Sequence, residues 1–236
     1  MISLRGREVS RIEGFSDAVF GFALTLLVVS LEVPDTIDGL KQILRGFVPF
    51  AATFTLMCWI WFEHYAFFRK FDAEDPVTIL LNCVLLFLVL FFVYPLKFVF
   101  ALVIPALLRA GPPIAMSAAD GRLMMWVYSV GFSAMMLVFA LLYGNQYRRR
   151  TAFALSAEQA FAARTGARTH LLSVAVGLVS IVMALTVPIE WIWAAGVIYA
   201  FLGPLHWRNG VLLERARAKA FATAAGEPRE GDLTPT

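Results

Sequence analysis

Long apolar runs recur along nearly the whole chain, separated by short polar stretches. A helix needs about 20 apolar residues to cross the hydrocarbon core of a bilayer, and six segments qualify. The first runs from about Phe15 to Val33 and stops at Pro34. The second covers 47–68 and the third 77–95, with apolar residues continuing past Pro95 and Lys97 to Leu108. That third segment is either one long tilted or kinked helix, or a span followed by a re-entrant or interfacial piece. The fourth covers 123–143, the fifth 171–187 and the sixth 189–206. "TVPIEW" leaves only a tight turn between the last two, which makes them an antiparallel hairpin, with Trp191, Trp193 and Trp207 placed as interfacial anchors. The predicted fold class is all-α: a polytopic membrane protein with six spans over 1–207 and a polar tail over 208–236.

Composition agrees with the pattern. A chain that is 60% hydrophobic and 16% charged, with mean hydropathy +0.73, is not a soluble domain. The net charge of +3 and pI near 9.0 point to cytoplasmic loops and not to nucleic acid. With the N-terminus inside, fifteen of the twenty Lys and Arg residues fall on the inner side. Only Lys41, Arg45, Lys97, Arg109 and Arg122 fall outside, so both termini are predicted to be cytoplasmic in a multi-pass cell-membrane protein. Cys58 and Cys83 lie inside apolar runs and read as packing residues. No small-x-small cleavage site closes the first apolar run, so it reads as a retained span.

Ionisable residues inside spans are expensive and mark function by default. They are Asp17, the Glu63–His64 pair and Lys97. Asp17 and His64 fall at the same membrane depth, where they either lock the first span to the second or form a proton or ion site. At 100° per residue, Ala18, Phe22, Thr25, Leu26, Val29 and Val33 all lie within about 60° of Phe22's direction, and Asp17 lies about 140° away. The stripe and the aspartate therefore serve different surfaces. Thr25 is its one polar member, and a threonine on an apolar helix usually bonds back to its own carbonyls. Other patterns carry nothing. The G-x-S in "GFSDA" sits at a helix edge without a base, and the arginines of "RRR" at 148–150 are consecutive. A T-V-G-Y-G filter is absent, as are C-x-x-C, H-E-x-x-H and phosphate-loop patterns.

Arg11-x-x-x-Phe15-Ser16-Asp17 followed by "AVFGFALTLLV" closely resembles the signature of the transmembrane protein 175 family, prokaryotic and endolysosomal potassium-permeable channels. The likeness extends to "WIWFEHYAFF", with Trp61 and His64, and to Asn82, Pro95 and the six-span plan of a prokaryotic single-repeat member. The resemblance implies a homotetramer whose first helices line a central pore. By position, Phe22, Leu26 and Val29 would form a hydrophobic constriction and Thr25 a polar layer linked to cation preference. Arg11, Phe15, Ser16, Asp17, Trp61 and His64 would form a structural network holding the first helix. Relatives commonly carry Ile or Leu at Phe22 and Ala at Gly21, so a ring of phenyl groups sets this chain apart. The implied partners are further copies of the chain and the lipid bilayer. No cofactor is expected, and no metal beyond permeant K⁺.

The expected function is a passive cation channel favouring K⁺ modestly over Na⁺. The alternative is a proton-coupled secondary transporter using Asp17 and His64, which would call for inverted repeats and broken midplane helices. An enzyme is not expected, because no nucleophile and base converge.

Overall fold

The computed structural model describes residues 9–31, 33–71, 73–108, 117–188 and 191–204, with scattered positions between 207 and 218. Among them every regular element is helical: α1 (Arg11–Val29), α2 (Ile37–Arg45), α3 (Phe47–Lys70), α4 (Pro76–Leu107), α5 (Ala118–Arg148), α6 (Ala157–Thr186) and α7 (Trp193–Val197), which continues as a 3₁₀ turn at Ile198–Phe201. Arg5, Arg7, Glu32, Arg109 and most of the 208–236 tail lie outside the described residues, as does the side chain of Trp193.

Four long helices start at polar caps and not at their first apolar residue. The Ser10 hydroxyl accepts from the Glu13 N–H, and the Glu13 carboxylate accepts from the Ser10 N–H. Ser156 and Gln159 repeat the arrangement ahead of α6. Asp75 accepts from the Val77 and Thr78 N–H groups, with Pro76 in the first turn, and Ser117 accepts from the Asp120 N–H. These helices therefore begin at 11, 76, 118 and 157, where apolarity alone predicts 15, 77, 123 and 171. At the other end α1 stops at Val29 and not at Val33, closed by Ser30, whose hydroxyl donates to the Leu27 carbonyl at 2.6 Å.

Helices α1, α4, α5 and α6 are each long and apolar enough to cross a membrane, and a fifth crossing results if α2 and α3 count as one span bent by 46°. The apolar helix Ala194–Pro204 is shorter than a span. The segment predicted over 189–206 thus becomes helical only at Trp193, and 189, 190, 205 and 206 lie outside the described residues. Beyond Pro95 the chain continues as helix to Leu107, which resolves the two alternatives for the third segment in favour of one long helix. Its 32 residues reach about 48 Å at 1.5 Å per residue.

In lipid there is little hydrophobic gain from helix association, so close packing and polar links specify the contacts. α5 and α6 make the most extensive pair, and α4 bridges α5 to α1 and α3. Gly166 lets the Tyr143 ring lie directly on α6, where an added Cβ would sit 2.4 Å from a ring carbon. That ring meets Phe67 and Phe71 edge-on, at 5.1 and 5.8 Å between centroids, at the centre of the buried core. Ser129 and Ser180 hydroxyls lie 2.8 Å apart, and Ser180 donates to the Ala195 carbonyl, tying α5, α6 and α7.

Candidate functional site

Helix α1 has two distinct faces. Ser16, Phe20, Ala23 and Leu27 are buried against the rest of the subunit. Ala18, Thr25, Phe22, Leu26 and Val29 are exposed, Phe22 at 67% and Val29 at 70%. The apolar stripe read from periodicity is therefore the face that this subunit leaves uncovered. It ends at Val29, because Val33 lies past the end of the helix. Thr25 donates its proton to the Gly21 carbonyl at 2.8 Å, so its oxygen faces outward as an acceptor.

The buried face is held by a polar relay across three helices. Ser16 donates to the Ile12 carbonyl at 2.7 Å and accepts from the Asn82 amide at 2.9 Å. The Asn82 carbonyl oxygen then faces His64 Nε2 at 2.9 Å. With the serine proton spent on Ile12, the asparagine must donate to Ser16, so Nε2 of His64 carries the proton that reaches Asn82. Phe20 and Phe68 pack on the imidazole at 5.5 and 4.6 Å between centroids. Beside this relay, the Trp61 indole N–H donates to the Asp17 carboxylate at 2.8 Å. Asp17 and His64 thus take separate hydrogen-bond partners. Arg11 and Phe15 are exposed, both within about 20° of Phe22's direction around the helix. Ser16, Asp17, Trp61 and His64 are gathered on one side of α1, while Arg11 and Phe15 lie on the other.

At the far end of α1 stands Lys97, flagged in the sequence only as an ionisable residue within a span. Its ammonium donates to the Ser30 carbonyl at 3.1 Å and to the Ser30 hydroxyl at 2.6 Å. A cation at a helix C-terminus meets the negative end of the macrodipole, so the charge is matched where it sits. Arg122 does the same for α6, donating to the carbonyls of Ala184 and Val187 at 2.8 and 2.6 Å. Two of the five cations assigned to the outer side are thus helix caps.

Other partners were not legible. Glu63, next to His64 in sequence, faces another neighbour: its carboxylate lies 3.8 Å from His170 Nε2 on α6. Asp75, ahead of α4, gathers Thr78, Asn145 and the Arg149 guanidinium at 3.1 Å. Burial works against its ionisation, but hydrogen bonds from Thr78 and Asn145, with the Arg149 charge, outweigh it and hold the carboxyl below the usual aspartate value. The sequence signal for Asn82 was its place as a lone amide in an unbroken apolar run. For Asp75 it was the Asp-Pro pair that opens a helix.

Residues 11–92 match the family described as "Endosomal/lysosomal potassium channel TMEM175". A protein of Marivirga tractuosa named "Potassium channel" is 38% identical over 197 residues, covering 79% of this chain and 78% of that protein. A potassium channel of Chamaesiphon minutus is 31% identical over 96 residues, 37% of this chain and 47% of that protein. Among solved structures, a variant of the potassium channel MtTMEM175 superposes with a TM-score of 0.76 at 33% identity, covering 92% of this chain and 97% of that one. The structure of a Chamaesiphon minutus homologue shares the fold, with a TM-score of 0.51 at 23% identity over 84% of this chain and 96% of that one. The matched region contains both faces of α1 and the Ser16–Asn82–His64 relay, and the alignment with the Marivirga channel spans most of both chains: this protein belongs to the TMEM175 family.

Proposed function

We propose that this chain is one subunit of a passive, potassium-permeable cation channel: a homotetramer of six-span subunits in the cell membrane, with both termini cytoplasmic. The observation that carries the reading is the uncovered stripe of α1, with Phe22, Leu26 and Val29 exposed opposite a face fully packed against the subunit. Copies of this stripe around an axis would place three apolar rings along the ion path, a constriction that restrains ions by bulk and by dewetting. The outward oxygen of Thr25 offers the polar ligand that favours K⁺ modestly over Na⁺. Relatives bearing channel names support the reading, and none of those names is an enzyme's.

The test is K⁺ flux from vesicles containing the purified protein, with valinomycin added at the end to report total trapped ion. Phe22→Ala is expected to raise flux, and Thr25 substitutions to change the K⁺/Na⁺ ratio. Absence of flux before valinomycin, in wild type and Phe22→Ala alike, overturns the proposal. Flux that saturates or requires a pH gradient favours the exchanger built on Asp17 and His64.

A further inference from the structure

Helix α2 follows the exit of α1 and precedes α3, and it buries none of its nine residues. Its polar and apolar positions are sharply sorted. Ile37, Leu40 and Leu44 lie on one face and are 69%, 42% and 63% exposed. Phe47 and Val48, at the start of α3, continue the same exposed apolar strip across the bend. Gln42 stands opposite, Asp38 and Arg45 lie on the flank between, and Lys41 borders Ile37, paired with Asp38 at 2.9 Å.

We infer that α2 docks on the bilayer interface at the side where α1 ends, with Ile37, Leu40 and Leu44 sunk to the level of the upper acyl chains and its charged face toward water. Three observations point to lipid as the occupant. The helix is tethered on both sides by membrane helices, so it cannot leave the membrane surface. Helix α3 has 24 residues, about 36 Å, long enough to reach across the hydrocarbon core, although it meets the apolarity of a span only together with α2. A re-entrant course would carry Asp38, Lys41 and Arg45 into the hydrocarbon, which membranes penalise strongly. A sorted helix of low overall hydrophobicity lying in the interface satisfies both faces. The 46° bend between α2 and α3 turns the α2 axis out of line with the crossing helix and part of the way toward the membrane plane. The paired Lys41 and Asp38 leave little net charge on the polar face, so zwitterionic headgroups suffice.

The inference rests on α1 and α3 crossing the membrane and not on ion flux, so its test does not depend on channel activity. On a background of Cys58→Ala and Cys83→Ala, the full chain would carry a spin label at position 40, 44 or 42 and be reconstituted in phosphatidylcholine vesicles. Collision with oxygen, which partitions into lipid, is compared with collision with a water-soluble nickel chelate. Oxygen is expected to dominate at Leu40→Cys and Leu44→Cys, and nickel at Gln42→Cys. The two apolar positions are independent reports, so one failing to fold leaves the other. Shielding of 40 and 44 from both reagents would assign the face to a neighbouring copy, and nickel access at all three positions would place the helix off the membrane. Either result overturns the inference.

Discussion

Asn82 is the residue on which the seat of α1 turns. Its amide is buried and serves two helices at once, accepting from His64 and donating to Ser16. A buried polar group stripped of its partner costs about 1–3 kcal/mol, and Asn82→Leu strips His64 Nε2 while removing the donor to Ser16. The expected result is a loss of that order, read as a lower apparent melting temperature of the purified protein. Ser16→Ala should cost less, since one Asn82 N–H is orphaned and His64 keeps its bond. Equal melting of Asn82→Leu and wild type would remove the relay from the account. The exposed stripe on α1 was legible in the sequence because helical periodicity is a property of one segment. The partner of His64 was not, because it stands eighteen positions away on another helix and depends on how α4 is rotated. Asp17 and His64 looked like mates from depth alone, and depth does not fix direction.

At the scale of the helix, ends carry more information than middles. Counting apolar residues locates the stretch in lipid, but α5 and α6 extend 5 and 14 residues before it, to Ala118 and Ala157, capped by Ser117 and Ser156. The capping sequences were present in the chain, as "SRIE" before α1 and "SAEQ" before α6, and a span count passes over them. Asp75 is the cap with a titration. Its carboxyl is held below the ordinary value of 3.8, so its contribution is complete above that pH and is lost as pH falls through the lower folded value. Acid unfolding below about pH 4 should therefore be blunted in Asp75→Asn, which still caps. Asp75→Ala should cost about 0.5–2 kcal/mol at neutral pH. Lys97 presents the opposite balance. A lysine within a span costs about 2.5–3.5 kcal/mol, and the helix C-terminus returns up to about 2 kcal/mol. Stability is thus not the reason to hold it there, and Lys97→Met should melt no lower than wild type. Its effect belongs to the pathway: unneutralised carbonyls at the end of α1 attract cations, so vesicle K⁺ flux should rise in Lys97→Met and return in Lys97→Arg. Unchanged flux in Lys97→Met would confine the lysine to architecture.

For the whole molecule, the described subunit is a packed unit with one face of its first helix unmet. Exposure by itself proves little in a membrane, since lipid covers apolar side chains without penalty. What distinguishes α1 is not spacing alone, since Leu80, Val84, Phe87, Phe91, Tyr94 and Phe98 on α4 are exposed at the same alternation, but that spacing joined to polar residues. Arg11, Phe15, Ala18, Phe22, Thr25 and Val29 stand alternately four and three residues apart on the exposed side, the 3.5-residue seam by which parallel helices meet. The same line carries an arginine and a threonine, residues poorly suited to acyl chains. Both facts argue for copies of α1 facing one another, and they lead to a direct prediction. With Cys58 and Cys83 replaced by alanine, Phe22→Cys should link between subunits under a short bifunctional thiol reagent, giving dimers and higher species on a denaturing gel. Leu27→Cys, on the buried face with no exposed surface, should not link. The protein mass, after subtraction of bound detergent, should be four times 26.2 kDa. A monomeric mass, or linking at 27 as efficient as at 22, would remove α1 from the subunit axis and with it the constriction assigned to Phe22. This is also where a single sequence gives out. Periodicity shows which side of a helix is special, and the number of copies around the axis is set by surfaces that only assembly brings together.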